Sequence, residues 1–164
     1  MASEVRLPGH MTIAEARDWL RPRTEHEHGV QCPVCGQHAQ AYKRSVTMPM
    51  VKVMVRMRMK AIKQADDYTA WVKLSEVEQE SRDSTMLAYW DLIREHGEKR
   101  GWWQITANGE DFLNGKLTIE RYAHVYRGKV YAHTGPHVRV TDVYPKFELK
   151  AVHPDLPEQT QMEE

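Results

Sequence analysis

Apolar positions along the chain fall into short blocks of changing period, and those periods predict the elements. Thr12 is placed to cap a short helix running to Leu20, Glu15 completes a capping box three residues on, and Pro22 ends the helix. From Val55 to Lys60 apolar and charged residues alternate, as in a strand. Over a longer window, Lys52, Arg56, Lys60 and Lys63 recur at spacings of four, four and three, which places them on one helix face. Val51, Met54, Arg58, Ala61 and Ala65 gather on or near another face, with one charged exception. Thr47 as cap, Pro49 in the first turn and the helix preference of Met and Lys decide for a helix over 49–65.

Asp66-Asp67 breaks that helix, Thr69 to Leu74 reads as a short strand, and Ser75 starts a brief helical turn through Glu80. Ser84 then caps the helix with the clearest periodicity, 84–96, in which Leu87, Trp90 and Ile93 keep helical spacing and Gly97 is the stop. Gly101 to Thr106 is a strand, Asn108-Gly109 punctuates it, and a short helix around Asp111-Phe112-Leu113 ends at Asn114-Gly115. Ile119 to Tyr126 and Lys129 to His133 flank Arg127-Gly128 as a hairpin, and Val138 to Val143 adds a strand or short helix. Beyond 151 the chain is proline-rich, acidic and apolar-poor, so a disordered tail is expected.

This order predicts an α+β fold: a winged-helix-like domain with an N-terminal Cys knuckle and a C-terminal β-hairpin extension. The expected divisions are 1–46 (helix and knuckle), 47–118 (winged-helix-like domain), 119–150 (β-rich extension) and 151–164 (tail). The run Gly101-Trp102-Trp103-Gln104-Ile105-Thr106-Ala107-Asn108-Gly109-Glu110-Asp111-Phe112-Leu113 resembles the segment that closes many bacterial winged-helix domains, a likeness that covers about 48–115. A broader resemblance joins Glu15-Ala16-Arg17-Asp18-Trp19-Leu20, Cys32-Pro33-Val34-Cys35, Tyr42-Lys43-Arg44 and Leu87-Ala88-Tyr89-Trp90-Asp91-Leu92-Ile93. Together with Gly101-Trp102-Trp103 and Arg121-Tyr122-Ala123, these runs are similar to small phage-encoded proteins of actinobacterial viruses, a group mostly of unassigned function. The resemblance implies a viral protein acting in a bacterial cytoplasm and supplies no activity. The methionines at 48, 50, 54, 57 and 59 depart from that group and read as adaptable core packing.

Composition narrows the function classes. The 164 residues are 41% hydrophobic and 28% charged, as in a folded domain. No segment approaches the roughly 18 consecutive apolar residues of a membrane span, and Met1 to Leu7 lacks a signal-peptide core, so a cytoplasmic protein is expected. Lys plus Arg equals Asp plus Glu at 23 each, which argues against a dedicated nucleic-acid binder. The balance is uneven: Asp155, Glu158, Glu163 and Glu164 make the tail acidic and leave the body mildly basic.

The chemistry-bearing residues form a small set. The only two cysteines lie in Cys32-Pro33-Val34-Cys35-Gly36, a turn that aims two sulfurs at one point and supplies half of a tetrahedral zinc site. His26, His28 and His38 are the nearby candidates for the other half, giving His-x-His-x3-Cys-x2-Cys-x2-His; a metal-free turn with two thiols is the plain alternative. Lys52, Arg56, Lys60 and Lys63 could lie along phosphates or form a solvated face. Arg82 and Arg94 flank or lie on the expected recognition helix, whose acids weaken a duplex reading. Lys99 and Arg100 sit at the expected wing, where they could meet phosphate or a minor groove. Of Trp102 and Trp103, one should be core and the other a surface anchor. Tyr122, Tyr126, Tyr131 and Tyr144, with Arg121, Arg127, Lys129 and Arg139, mix stacking and charge as single-strand binders do and as ordinary sheets do. No phosphate loop, His-Glu-x-x-His or partnered nucleophile is present, so a non-enzymatic role is expected. Duplex DNA or a host DNA-associated protein is the expected partner, a protein-only binder of a host factor is the alternative, and a homo-oligomer in which knuckles from two chains complete shared zinc sites is a third possibility.

Overall fold

The computed structural model describes residues 11–78 and 82–148, so the lead-in and the acidic tail lie outside the described residues. In chain order the elements are α1 (Ile13–Arg23), β1 (Val30–Gln31), β2 (His38–Ala39), β3 (Tyr42–Ser45), α2 (Met48–Ala65), β4 (Val72–Lys73), 3-10 turns over Leu74–Glu76 and Ser84–Trp90, β5 (Ile93–Glu95), β6 (Trp102–Ile105), α3 (Ala107–Leu113), β7 (Ile119–Tyr126), β8 (Lys129–Val138) and α4 (Val140–Val143). They form an α+β fold with three small sheets, ordered β1-β2, β3-β7-β8 and β4-β6-β5. Two compact units emerge among the described residues: 11–44 with 123–133, and 45–122 with 134–148. The tip of the predicted β-rich extension therefore groups with the N-terminal segment.

In the first unit, α1 starts as its sequence predicts. The Thr12 amide donates to Glu15 Oε2 at 2.6 Å and the Glu15 amide returns a bond to Thr12 Oγ1 at 3.2 Å. The Thr12 amide, and then the Thr12 hydroxyl donating to Glu15 Oε2 at 2.9 Å, hold the Glu15 carboxyl below its usual range. Pro22 lies inside α1 and does not end it; the helix stops at Thr24, whose amide donates to the Leu20 carbonyl at 3.0 Å. The β7–β8 hairpin turns on Arg127 and Gly128, both with positive φ, as a two-residue primed turn requires.

In the second unit, α2 is the core element. Its helical spacing prevails over the local alternation, and Met50, Val51, Val53, Met54, Met57 and Ala61 are all buried. Met48 and Met59 are exposed, so the methionine run is only partly core packing. Thr47 occupies the cap position without a side-chain bond, and Pro49 stands in the first turn. The charged exception on the apolar face, Arg58, is buried at 4% exposure. Its Nε and Nη2 donate to Glu110 Oε2 and Oε1 at 2.7 and 2.8 Å, a bidentate pair that ties α2 to α3.

The expected helix over 84–96 is not formed. A 3-10 turn buries Leu87 and Trp90 and ends where Asp91 takes a left-handed conformation, φ 56°. Ile93, Arg94 and Glu95 then pair antiparallel with Ile105, Gln104 and Trp103. Leu87, Trp90 and Ile93 are buried as expected; strand pairing claims Ile93, where local spacing suggests a third helical turn. The corner at Asp91 is held from α3. Thr106 Oγ1 donates to the Asp91 carbonyl, Asn108 Nδ2 donates to Asp91 Oδ2 at 2.9 Å, and Thr106 caps α3 by accepting from the Gly109 amide. Gly109 is needed for its lack of a side chain, because a Cβ there would stand 2.1 Å from the Leu92 carbonyl oxygen. On the other edge of β6, Val72 and Lys73 pair with Trp103 and Trp102.

Removing one partner of the buried pair takes from a desolvated charge the opposite charge that meets it. Glu110→Ala is expected to lower unfolding free energy by about 3–5 kcal/mol, whereas the double change Arg58→Met with Glu110→Leu costs little or nothing. Chemical denaturation of the single and double variants checks this. Equal losses in both would contradict it.

Candidate functional site

Two constellations place chemistry-bearing side chains together, one in each unit. In the first unit, β1 and β2 pair through Val30 with Ala39 and Gln31 with His38, and the intervening turn carries both cysteines. The Cys32 amide donates to the Gln37 carbonyl and the Gly36 amide to the Cys32 carbonyl, each at 2.7 Å, with Gly36 at φ 73°. The Cys35 amide and then the Val34 amide donate to the Cys32 sulfur, and Cys32 and Cys35 are 3.5 Å apart. These bonds hold the Cys32 thiol below the ordinary cysteine range; burial opposes them, and a Cys35 side-chain bond and the Arg127 charge add to them. Cys32, His38, Tyr42, Tyr126 and Arg127 share the walls of a cavity of about 290 Å³.

The histidines do not complete a metal site in this arrangement. His26 and His28 are exposed in the turn after α1, and His38 Nε2 lies 3.1 Å from Gln40 Oε1. Among the described residues no third His, Cys, Asp or Glu joins the two cysteines in a metal-binding group. The sequence pattern places Arg127 only in the hairpin; its position on the Cys32 cavity comes from strand pairing and has no local signal.

The second constellation is the β5–β6 hairpin. His96 follows β5, and its Nδ1 accepts the amides of Glu98 and Lys99, both at 3.0 Å. The Gly101 amide donates to Glu95 Oε1 at 3.0 Å. The His96 ring meets Trp71 edge-on with centroids 4.5 Å apart. The tip is thus a folded turn that leaves Lys99 and Arg100 exposed, with the Lys99 ammonium 5.8 Å from the Trp102 ring centre. Trp102 and Trp103 are both half-buried, so neither is wholly core. Arg94 is on strand β5, not on a helix; its Nε donates to Gln104 Oε1 and its guanidinium lies 6.0 Å from the Trp71 ring centre. Arg82 is exposed before the 3-10 turn. The organising role of His96 escapes a sequence reading, because an imidazole accepting amides two and three residues on has no common sequence signature.

The basic face of α2 is largely engaged inside the unit. Lys60 pairs with Glu76, Lys52 stands 5.5 Å from the Tyr144 ring centre, and Arg56 is half-buried. Lys63, in the last turn, is exposed.

Comparison with protein-family models, curated proteins and solved structures finds no match. Among the described residues no helix is long and apolar enough to cross a membrane.

Because thiolate is the reacting form, a lowered Cys32 pKa moves its reactivity to lower pH. Alkylation of Cys32 by iodoacetamide, followed by mass spectrometry with chelator present, is expected to rise through a midpoint below that of a free cysteine in an unstructured peptide measured alongside. A midpoint at or above that value would contradict the amide-to-sulfur geometry.

Proposed function

We propose that the chain is a non-enzymatic regulatory protein of an actinobacterial phage, acting in the host cytoplasm, that binds duplex DNA or a DNA-associated host machine through a winged-helix-like segment. The observation that carries this reading is the ordered basic tip of the β5–β6 hairpin. A turn fixed by His96 and Glu95 presents Lys99 and Arg100 outward, so little ordering entropy is left to lose on meeting a phosphate. The element order α2, β4, two 3-10 turns and β5–β6, with β4 added to β6, supports a winged-helix-like segment. In this reading the wing leads. The 3-10 turn at 84–90 exposes Thr85 and Ala88, and exposed Asp91 follows it, a poor set for reading bases.

A protein-only binder that inhibits or redirects a host factor is the second reading. The internal engagement of Lys52 and Lys60 favours it, since that face then offers little to a phosphate backbone. Salt separates the two. Duplex affinity measured by fluorescence anisotropy is expected to fall steeply as salt rises. Changing Lys99 and Arg100 to Ala is expected to flatten the slope of log K against log salt by roughly 0.9 for each phosphate that is no longer neutralised. Absence of binding at low salt, or an unchanged slope in the variant, would contradict the wing-led reading.

A further inference from the structure

We propose that the Cys32–Cys35 turn is half of a four-thiolate zinc site whose other half is the same turn of a second copy of this chain. Two sulfurs held about 2.3 Å from one tetrahedral zinc stand roughly 3.7 Å apart, and Cys32 and Cys35 are only 3.5 Å apart in the described turn, close enough to share one ion. The amides of Cys35 and Val34 point at the Cys32 sulfur, so the turn is already organised around a negatively charged ligand atom. Both cysteines are free.

The missing ligands decide the partner. No third His, Cys, Asp or Glu joins the pair among the described residues, so one copy offers two sulfurs where zinc takes four ligands. A second copy supplies two more of identical chemistry. Charge points the same way. Zinc with four thiolates carries two negative charges, and each chain brings Arg127 to the cavity wall beside Cys32. Two copies therefore balance the site with two guanidinium groups. Val34, between the two cysteines, is 74% exposed, an apolar tip that a symmetric neighbour covers. The proposal is independent of the duplex-binding reading, since it uses only residues of the first unit.

The test uses the full chain, reduced, stripped with chelator and titrated with Zn²⁺ alone. Light scattering is expected to show the mass doubling from 19.2 kDa at one zinc per two chains, and returning to the monomer with chelator. X-ray absorption at the zinc edge is expected to give a shell of four sulfurs. Cys35→Ser should abolish both changes, with circular dichroism confirming that the variant is folded. The joint change of His26, His28 and His38 to Ala should leave stoichiometry and mass unchanged, which keeps the proposal testable if the cysteine variant is unstable. One zinc on a monomer, a mixed sulfur and nitrogen shell, a dimer indifferent to chelator, or no zinc uptake would each overturn it.

Discussion

The buried ion pair between Arg58 and Glu110 is the constraint that ties α2 to α3 in the second unit. A guanidinium on a helix whose Met54, Met57 and Ala61 are also buried is tolerable only if a carboxylate meets it with two bonds. That requirement fixes α3, a helix of only seven residues, against α2. The cap of α3, Thr106, also holds the Asp91 carbonyl, and Asn108 holds the Asp91 carboxylate. Asp91 is the left-handed corner that ends the 3-10 turn and releases Ile93 into β5. The position of the β5–β6 hairpin, and of its basic tip, therefore traces back to one buried charge.

That chain of dependence explains which elements are legible in the sequence. Helix α2 is legible because eighteen residues at 3.6 spacing outweigh six that alternate. The β7–β8 hairpin is legible because Arg127-Gly128 can enter the left-handed region that a two-residue turn demands. The segment 84–96 misleads because Leu87, Trp90 and Ile93 have a spacing compatible with a helix and with a turn feeding a strand. What separates those outcomes is Thr106 and Asn108, more than ten residues away, and no local pattern carries that information. Pro22 misleads more simply. It is the penultimate residue of α1, where the single amide bond that a proline forfeits does not break the turns before it.

The candidate sites divide along the same line. The cysteine turn is local, so its shape follows from Cys-x-x-Cys-Gly, whereas Arg127 reaches it only through the sheet. Lys99 and Arg100 are legible as hairpin-tip residues, while His96 and Glu95, which shape that tip, are not. Electrostatics narrows the functional reading further than composition does. Equal numbers of acids and bases describe the whole chain, yet Lys60 is paired with Glu76 and Lys52 stands 5.5 Å from the Tyr144 ring centre, while Lys99 and Arg100 are exposed side by side at the tip of the β5–β6 hairpin.

The most direct test of the account is a nitrogen-15 NMR titration of the full chain with a mixed-sequence duplex at low salt. Shift changes are expected to concentrate at residues 94–102, with the amides of Glu98, Lys99 and Gly101 among the largest, because these are fixed to His96 and Glu95 beneath the proposed phosphate contacts. Shifts confined to the 3-10 turn at 84–90, or none at all, would contradict it.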